Sequence, residues 1–587
     1  MDGVAVPSPF GYSGGMFVLW FAACQGDDWD AAPGPSPSLE PTAVPVLTVA
    51  TPARGAFVGD RERIEVSGEV TPGTGAITTL VVNGNAIDMG PGGGAFSKDI
   101  AVGPGIAILG TRVETADGER AVDGRAVMVG EVHEPGERLS ESVKIQLGAE
   151  LLDDDDDDLD DLATVAETMF ADPAIARSFV GTEYVTEYYT LVITGVSFGG
   201  VEVDLVPSSG TLDVTLTIRD VWIDFDAIGN SWYIPDTHGS CWADAAVIDI
   251  SLDLSIEDGV VTAVPTSTVV TLQNFGMTLA WFPDSYEDEL ADYARDYLED
   301  ELAVQVADMI PPLVEEYLGA FSVDTTFSGM RLQMALSSLR VASDGLRLTM
   351  DAWVSGPAEI DLPDGAGSLA TDEEGPGFPL SDTAPFAMAA DDDFLNQLLF
   401  QMWAGGSLGG ITFGAVEMTA LAGAVPAPLG PVATVAVDVG LPPVFGEASW
   451  EGMQFDLSLG ELRMAVTRED GVLTDASINV RTGGTLAITD AGELAFTLDN
   501  RPAYMLLEIG MEAWPEALDP GDMAALVRLS VPPLFGTLSS FLPGFPVPSV
   551  PLDSFGDAFA GESLSIQDPS ARVERGWLVI EGSLSAE

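Results

Sequence analysis

What most constrains this chain is a pair of long strands that are apolar on one face only. In Thr211–Phe225, Leu212, Val214, Leu216 and Ile218 share one face, and Val221, Ile223 and Phe225 resume the alternation after a one-residue slip at Arg219-Asp220. Alternation interrupted by a slip is the pattern of a long strand bent by a β-bulge. Val247–Ile256 repeats the pattern through Ile248, Ile250, Leu252, Leu254 and Ile256, then turns at Asp258-Gly259. A sheet apolar on one face needs a cover. Tyr286–Phe321 supplies one: Leu290, Ala294, Tyr297, Leu298 and Leu302 form a helical stripe opposite acids, with Pro311-Pro312 expected to end or kink the helix.

The same grammar occurs twice. Val143–Leu147 reads as a short strand, followed by a helix through Phe170 whose first turns hold the aspartates Asp153–Asp158. After the long helix, strands are expected at Ser328–Leu336, Leu346–Val354, Val432–Val439, Met453–Val466 and Ser477–Thr489, a helix from Asp522 toward Leu538, and a closing strand at Gly576–Gly582. Between them lies Pro385–Gly406, extended at first and then a short amphipathic helix with Phe394, Leu395, Leu398, Leu399 and Met402 on one face. Asp391 or Asp392 can cap it, and Gly405 can end it in a left-handed conformation. Upstream, residues 46–132 alternate in short segments broken by Asn83-Gly84 and Asp117-Gly118, the pattern of a small all-β sandwich.

Charge excludes some functions. The 587 residues include 93 acidic and 22 basic ones, a net charge of −71, and such a surface repels phosphate backbones, so nucleic acid is not an expected partner. The acids are spread along the chain, which fits solubility in a saline habitat better than a dedicated cation site. The six-aspartate run lacks the glycine and glutamate of an EF-hand loop, so any metal binding there is expected to be weak. No stretch is long and apolar enough to span a bilayer.

Three local patterns carry resemblances. Met16–Cys24, MFVLWFAAC, resembles a bacterial lipoprotein signal with Phe21-Ala22-Ala23 in the lipobox position, although Phe replaces the usual leucine and no basic residues precede it. Lipid attachment at Cys24, followed by the Pro-rich acidic tether Gln25–Pro45, is the resulting expectation, and it implies the cell envelope, with an outer-membrane lipoprotein favoured over a secreted form. Residues 46–132 resemble bacterial Ig-like modules, which are usually spacers and less often adhesins. The double pass from Val143 onward resembles the BPI-like (TULIP) superfamily, through VKIQLGAEL, the order of long strands and long helix, Phe386–Trp403 and Leu542–Pro548.

That resemblance implies an α+β fold of two tandem elongated barrels, each a long helix wrapped by a strongly curved antiparallel sheet, joined by a shared central sheet. The expected division is leader 1–24, tether 25–45, sandwich 46–132, linker 133–142, first barrel 143–325 and second barrel 326–587. It also implies an apolar groove for a lipid or other apolar small molecule, where each buried methylene contributes about 0.8 kcal/mol. Expected lining residues are Leu212, Val214, Leu216, Ile218, Ile248, Ile250, Leu252, Leu254, Leu298, Phe394, Leu398 and Met402, and for each of them plain core is the competing reading. Two departures count against endotoxin binding of the vertebrate kind: the chain has only Lys98 and Lys144 as lysines, and Cys241 has no partner for that group's disulfide.

Enzyme chemistry finds little support. Gly11–Gly15 and Gly405–Gly409 match a nucleophile-elbow spacing, but one lies in the leader and the other follows a helix. His133 and His238 are the only histidines, and His238 with Cys241 is too few ligands for zinc. The expectation is a non-enzymatic lipid-binding or transfer protein without a cofactor. The alternative is a structural or adhesive surface protein whose barrels are filled by their own side chains, and a lipid hydrolase is a distant third.

Overall fold

The computed structural model describes residues 44–586 apart from 157, 186–188, 281–283, 328, 372–374, 414–433, 469–470, 490–492, 500–501, 503, 510–534, 537–538, 540–544, 547–549 and 557–558. Cys24, the leader and nearly all of the tether lie outside the described residues, as do most of the helix expected from Asp522 and most of Leu542–Pro548.

An eight-stranded central sheet holds the chain together. Its order is Val323–Phe327, Met330–Ala342, Gly345–Ser355, Leu139–Gly148, Phe386–Ala390, Trp577–Ala586, Ser563–Glu574 and Val550–Pro551. The sheet is symmetric about its middle. Leu139–Gly148 and Phe386–Ala390 pair antiparallel, with Phe386 opposite Leu147 and Ala390 opposite Val143. Each is flanked outward by strands that close its own half of the chain. Each also leads to a helix: α1 (Leu162–Phe170) and the short α2 (Pro173–Ser178) in the first half, α4 (Asp392–Ala404) in the second. A long helix, α3 (Asp284–Gly319), returns the first half to the central sheet.

A second sheet belongs to each half. In the first, seven strands are built around Thr211–Gly229 and Thr237–Glu257, paired from Thr211 opposite Asp253 to Ala227 opposite Thr237. The slip at Arg219-Asp220 is a local backbone bend, with Asp220 at φ 52°, and not the expected β-bulge: register with Thr237–Glu257 is unbroken from Thr211 to Ala227. On its other side Thr211–Gly229 pairs with Tyr189–Ser197 and then Gly200–Pro207, the break falling opposite Asp220. The bend divides two packing regions. Before it, Leu212, Val214 and Leu216 enter the main core; beyond it, Phe225 and Ala227 join a small cluster with Cys241 and Leu279. His238 lies in the strand Thr237–Glu257.

The expected fold class is corrected here. The chain is mostly β with curled sheets, and it is not a pair of long helices wrapped by sheets. In the second half the described helix beside the sheet is α4, of 13 residues. In the first half α3 runs 36 residues, straight through Pro311 and Pro312, but it packs chiefly along Val260–Gln273 at the edge of its sheet. Hydrogen bonding explains that position. An edge strand presents unpaired N–H groups, and Glu315 and Glu299 of α3 accept from Ala263 N at 2.9 Å and Leu272 N at 2.8 Å. On the opposite side, Glu167 of α1 accepts from Val203 N at 2.8 Å and Asp153 from Leu205 N at 2.9 Å. Carboxylates thus close both flanks of this sheet, a use of acids that composition alone does not reveal.

The aspartate run is also corrected. Among the described residues of 153–160 none is helical; α1 starts only at Leu162, capped by Asp161, which accepts from Thr164 N at 2.6 Å. Like charges at helical spacing repel, and aspartate side chains bond nearby backbone N–H groups instead. Asp153, Asp154 and Asp156 each bond the N–H two residues on.

The residues from Val46 to Val129 form a three-stranded and a four-stranded sheet facing each other over Val66, Leu80, Val82 and Val113. They are docked against the second half, which is not the arrangement of a free-standing spacer. Glu461, buried and at φ 53° in a bulge of Phe455–Arg468, accepts from Ala126 N at 2.7 Å. Asn479 donates to Gly124 O at 3.2 Å, and Arg54 bridges Asp123 and Glu508.

Candidate functional site

The helix α4 is the centre of the second half, and its sequence shows why it starts and stops where it does. Asp391 caps it, accepting from Asp393 N. It ends in a Schellman arrangement, with Gly406 N bonded to Trp403 O and Ser407 N to Met402 O. The left-handed residue there is Gly406, at φ 71°, while the expected one, Gly405, sits at φ −76°. The Gly405–Gly409 segment is thus a helix stop.

This helix is buried all round, on its polar side as well as its apolar side. Asn396 bonds both the N–H and the C=O of Phe445. Gln397, fully buried, accepts from Val354 N at 2.6 Å and donates to Glu137 O at 2.8 Å, and Trp403 Nε1 donates to Val439 O at 2.7 Å. At the first turn Thr371 bonds both Asp392 and Asp393, and His133 Nε2 lies 3.0 Å from Asp393 Oδ2. Burial, then the hydrogen bond to Asp391, raises the Asp392 carboxyl well above the usual carboxylate range; burial also raises Asp391. The bond to Asp393 raises His133. The three carboxylates could approach one metal ion, but Thr371, His133 and the helix N–H groups already engage them.

The apolar side of α4 faces a cavity. Leu395, Leu398 and Leu399 line it from the helix, and Phe445, Phe455, Leu457 and Phe496 from the sheet. Its interior free volume is ≈ 20 Å³, room for little more than one water-sized body. The three phenylalanines pack on one another at centroid distances of 5.2 to 6.3 Å. An all-leucine and phenylalanine lining offers water no hydrogen bond, so such a space favours an apolar occupant.

Of the expected lining residues only Leu398 reaches this cavity; Phe394 and Met402 lie in the surrounding core. Leu212, Val214, Leu216, Ile248, Ile250, Leu252 and Leu254 are buried in the same main core, with Leu212 opposite Leu252 and Val214 opposite Ile250. The same core also takes in Val306, Ile310, Leu313 and Leu318 of α3. Ile218 is half-buried at the bend, and Leu298 joins the small clusters beyond it. Cys241 is buried, and burial pushes its thiol up to about 12, which leaves it inert. The cavity residues not anticipated are Leu395, Leu399, Phe445, Phe455, Leu457 and Phe496. Leu395 and Leu399 share the helical face of Leu398, and Phe455 and Leu457 alternate along their strand, so a signal was present for four of them.

No protein-family model matches this chain, and no curated protein does. Among solved structures it is similar to a lipopolysaccharide binding protein, at 12% identity over 77% of this chain and 99% of the other, with a TM-score of 0.40. It is also similar to P47 of Clostridium botulinum E1, at 10% identity over 76% and 100% and a TM-score of 0.25. P47 from Clostridium botulinum A2 matches at 10% identity over 76% and 98%, with a TM-score of 0.24. Likenesses this distant carry no argument about ligand or partner.

Proposed function

We propose that this protein binds a lipid or a comparable apolar molecule, without catalysis, between α4 and the curled sheet of the second half. The observation that carries this reading is the cavity lined only by Leu395, Leu398, Leu399, Phe445, Phe455, Leu457 and Phe496. Widening must come from the sheet side. Asn396, Gln397 and Trp403 bond α4 to its surroundings, whereas Phe496 sits on Glu493–Leu498, which among the described residues pairs beyond Gly471–Ile488 only with Phe545–Pro546. Displacing Phe496 opens the space toward an acyl chain, and each methylene that enters contributes about 0.8 kcal/mol.

Organic extraction and native mass spectrometry of the purified protein are expected to find bound lipid, and a fluorescent acyl probe is expected to bind saturably. Phe496→Ala should increase probe uptake, whereas Leu457→Trp, which fills the cavity, should abolish it. Lipid-free protein together with no saturable probe binding would favour the second reading, a structural or adhesive protein. That reading draws on the first half, where the expected lining residues fill the interior themselves.

We further propose that the chain is anchored in a bacterial envelope through Cys24, on the strength of Met16–Cys24 and the tether that follows. Cys24→Ser should release the protein from membranes; a variant that stays with the membrane fraction rules the anchor out.

A further inference from the structure

The loop Asp153–Asp161 carries six consecutive aspartates and two more at its end. Carboxylate oxygens of Asp154, Asp160 and Asp161 all lie within 4.8 Å of one another. Among the described residues, no lysine or arginine forms an ion pair with this loop. The fold holds the group together: Asp161 is 1% exposed and accepts from Thr164 N at 2.6 Å and Asp154 N at 3.0 Å.

Two further polar atoms converge there. Asp160 Oδ1 is buried with no hydrogen-bond partner among the described residues. Tyr317 of α3 is fully buried, its hydroxyl has no partner among the described residues either, and the charges of Asp161 and Asp160 act on it. Buried polar atoms are costly unless something completes their hydrogen bonds or coordination. A tyrosine hydroxyl left over beside carboxylates that are short of positive charge marks a place for a hydrated cation.

We propose that Asp154, Asp160 and Asp161 bind one calcium ion, with Tyr317 Oη hydrogen-bonded to a water on that ion. The donors are all oxygen, which selects a hard cation over zinc. They come from an irregular loop, which suits the variable coordination of calcium better than the strict octahedron of magnesium. This is no EF-hand: Asp154 enters from one end of the loop and Asp160 and Asp161 from the other. The adjoining Asp153, Asp155 and Asp204 add negative potential, although Asp153 is already bonded to Leu205 N. A bound ion ties the loop that caps one flank of the first-half sheet to α3, which caps the other.

The test uses the full chain, stripped with a chelator and titrated with calcium chloride in enough sodium chloride to screen diffuse binding. Calorimetry should show one saturable site, and the melting temperature should rise with calcium. Asp160→Asn should weaken binding by about tenfold or more and invert the stability order: above the parent protein in chelator, below it in calcium. Tyr317→Phe keeps the ring packing and should weaken binding by about tenfold. Absence of a saturable site, an equal melting shift from magnesium at the same concentration, or unchanged calcium affinity in both variants would overturn the proposal.

Discussion

The two halves of this protein follow one plan and close it differently. Each starts with a strand at the middle of the central sheet, passes through a short helix into a curled sheet, and returns to the central sheet. In the first half the sheet is flanked by carboxylates on α1 and α3, and its apolar face is filled by Leu212, Val214, Leu216, Ile248, Ile250 and Leu252. In the second, α4 is fixed by buried amides against the sheet and leaves a small apolar space beside it. The difference teaches that an alternating strand announces an apolar face but not what covers it. Polar residues at the edges decide that, by fixing where the helix can lie.

The sharpest test of this contrast compares Leu216→Ala with Leu398→Ala. Each should lose about 3 kcal/mol in chemical denaturation. Only Leu398→Ala, which enlarges the existing cavity, should also gain binding of a fluorescent acyl probe; equal gains in both would erase the distinction between halves. A somewhat smaller loss, about 2 kcal/mol, is expected for Gln397→Ala, which leaves Val354 N and Glu137 O without their buried partner. A neutral result would show that the amides are not what fixes α4.

Next in size comes a pH effect from the groups at the first turn of α4. The folded values of His133, Asp391 and Asp392 are all raised, so the folded protein binds more protons than the unfolded chain. Their contribution is fully present below the unfolded values and is lost as pH rises through the folded ones, about 6 for Asp391 and about 9 for Asp392. Asp392→Asn should therefore flatten the decline in melting temperature across that range; an unaltered slope would place the linkage elsewhere. The smallest effect is expected from salt. With a net charge of −71, added sodium chloride should raise the melting temperature modestly through screening, and a flat response would mean that the acids are already compensated locally.

Much of the β structure is legible in the sequence because period-two alternation is local. Thr211–Phe225 and Val247–Ile256 are inside strands, and the slip at Asp220 marks a bend, though not the expected bulge. What is not legible depends on partners far along the chain. Asp392, Asn396, Gln397 and Gln401 read as a solvent face, and only Val354, Phe445 and Thr371 make them interior. Glu461 is one acid among 93 until its bulge aims it at Ala126. The cavity escapes for a similar reason: Phe445 and Phe496 are brought to α4 by sheet register, not by spacing.

The mirrored order of the central sheet has a kinetic consequence. Phe386–Ala390 completes its ladder only when Trp577–Ala586 arrives, nearly two hundred residues later. While the chain is being synthesised, that apolar strand presents an open edge able to pair with other chains. Maturation is thus gated by the arrival of Trp577–Ala586, and deleting that strand should make the chain aggregate as it leaves the ribosome.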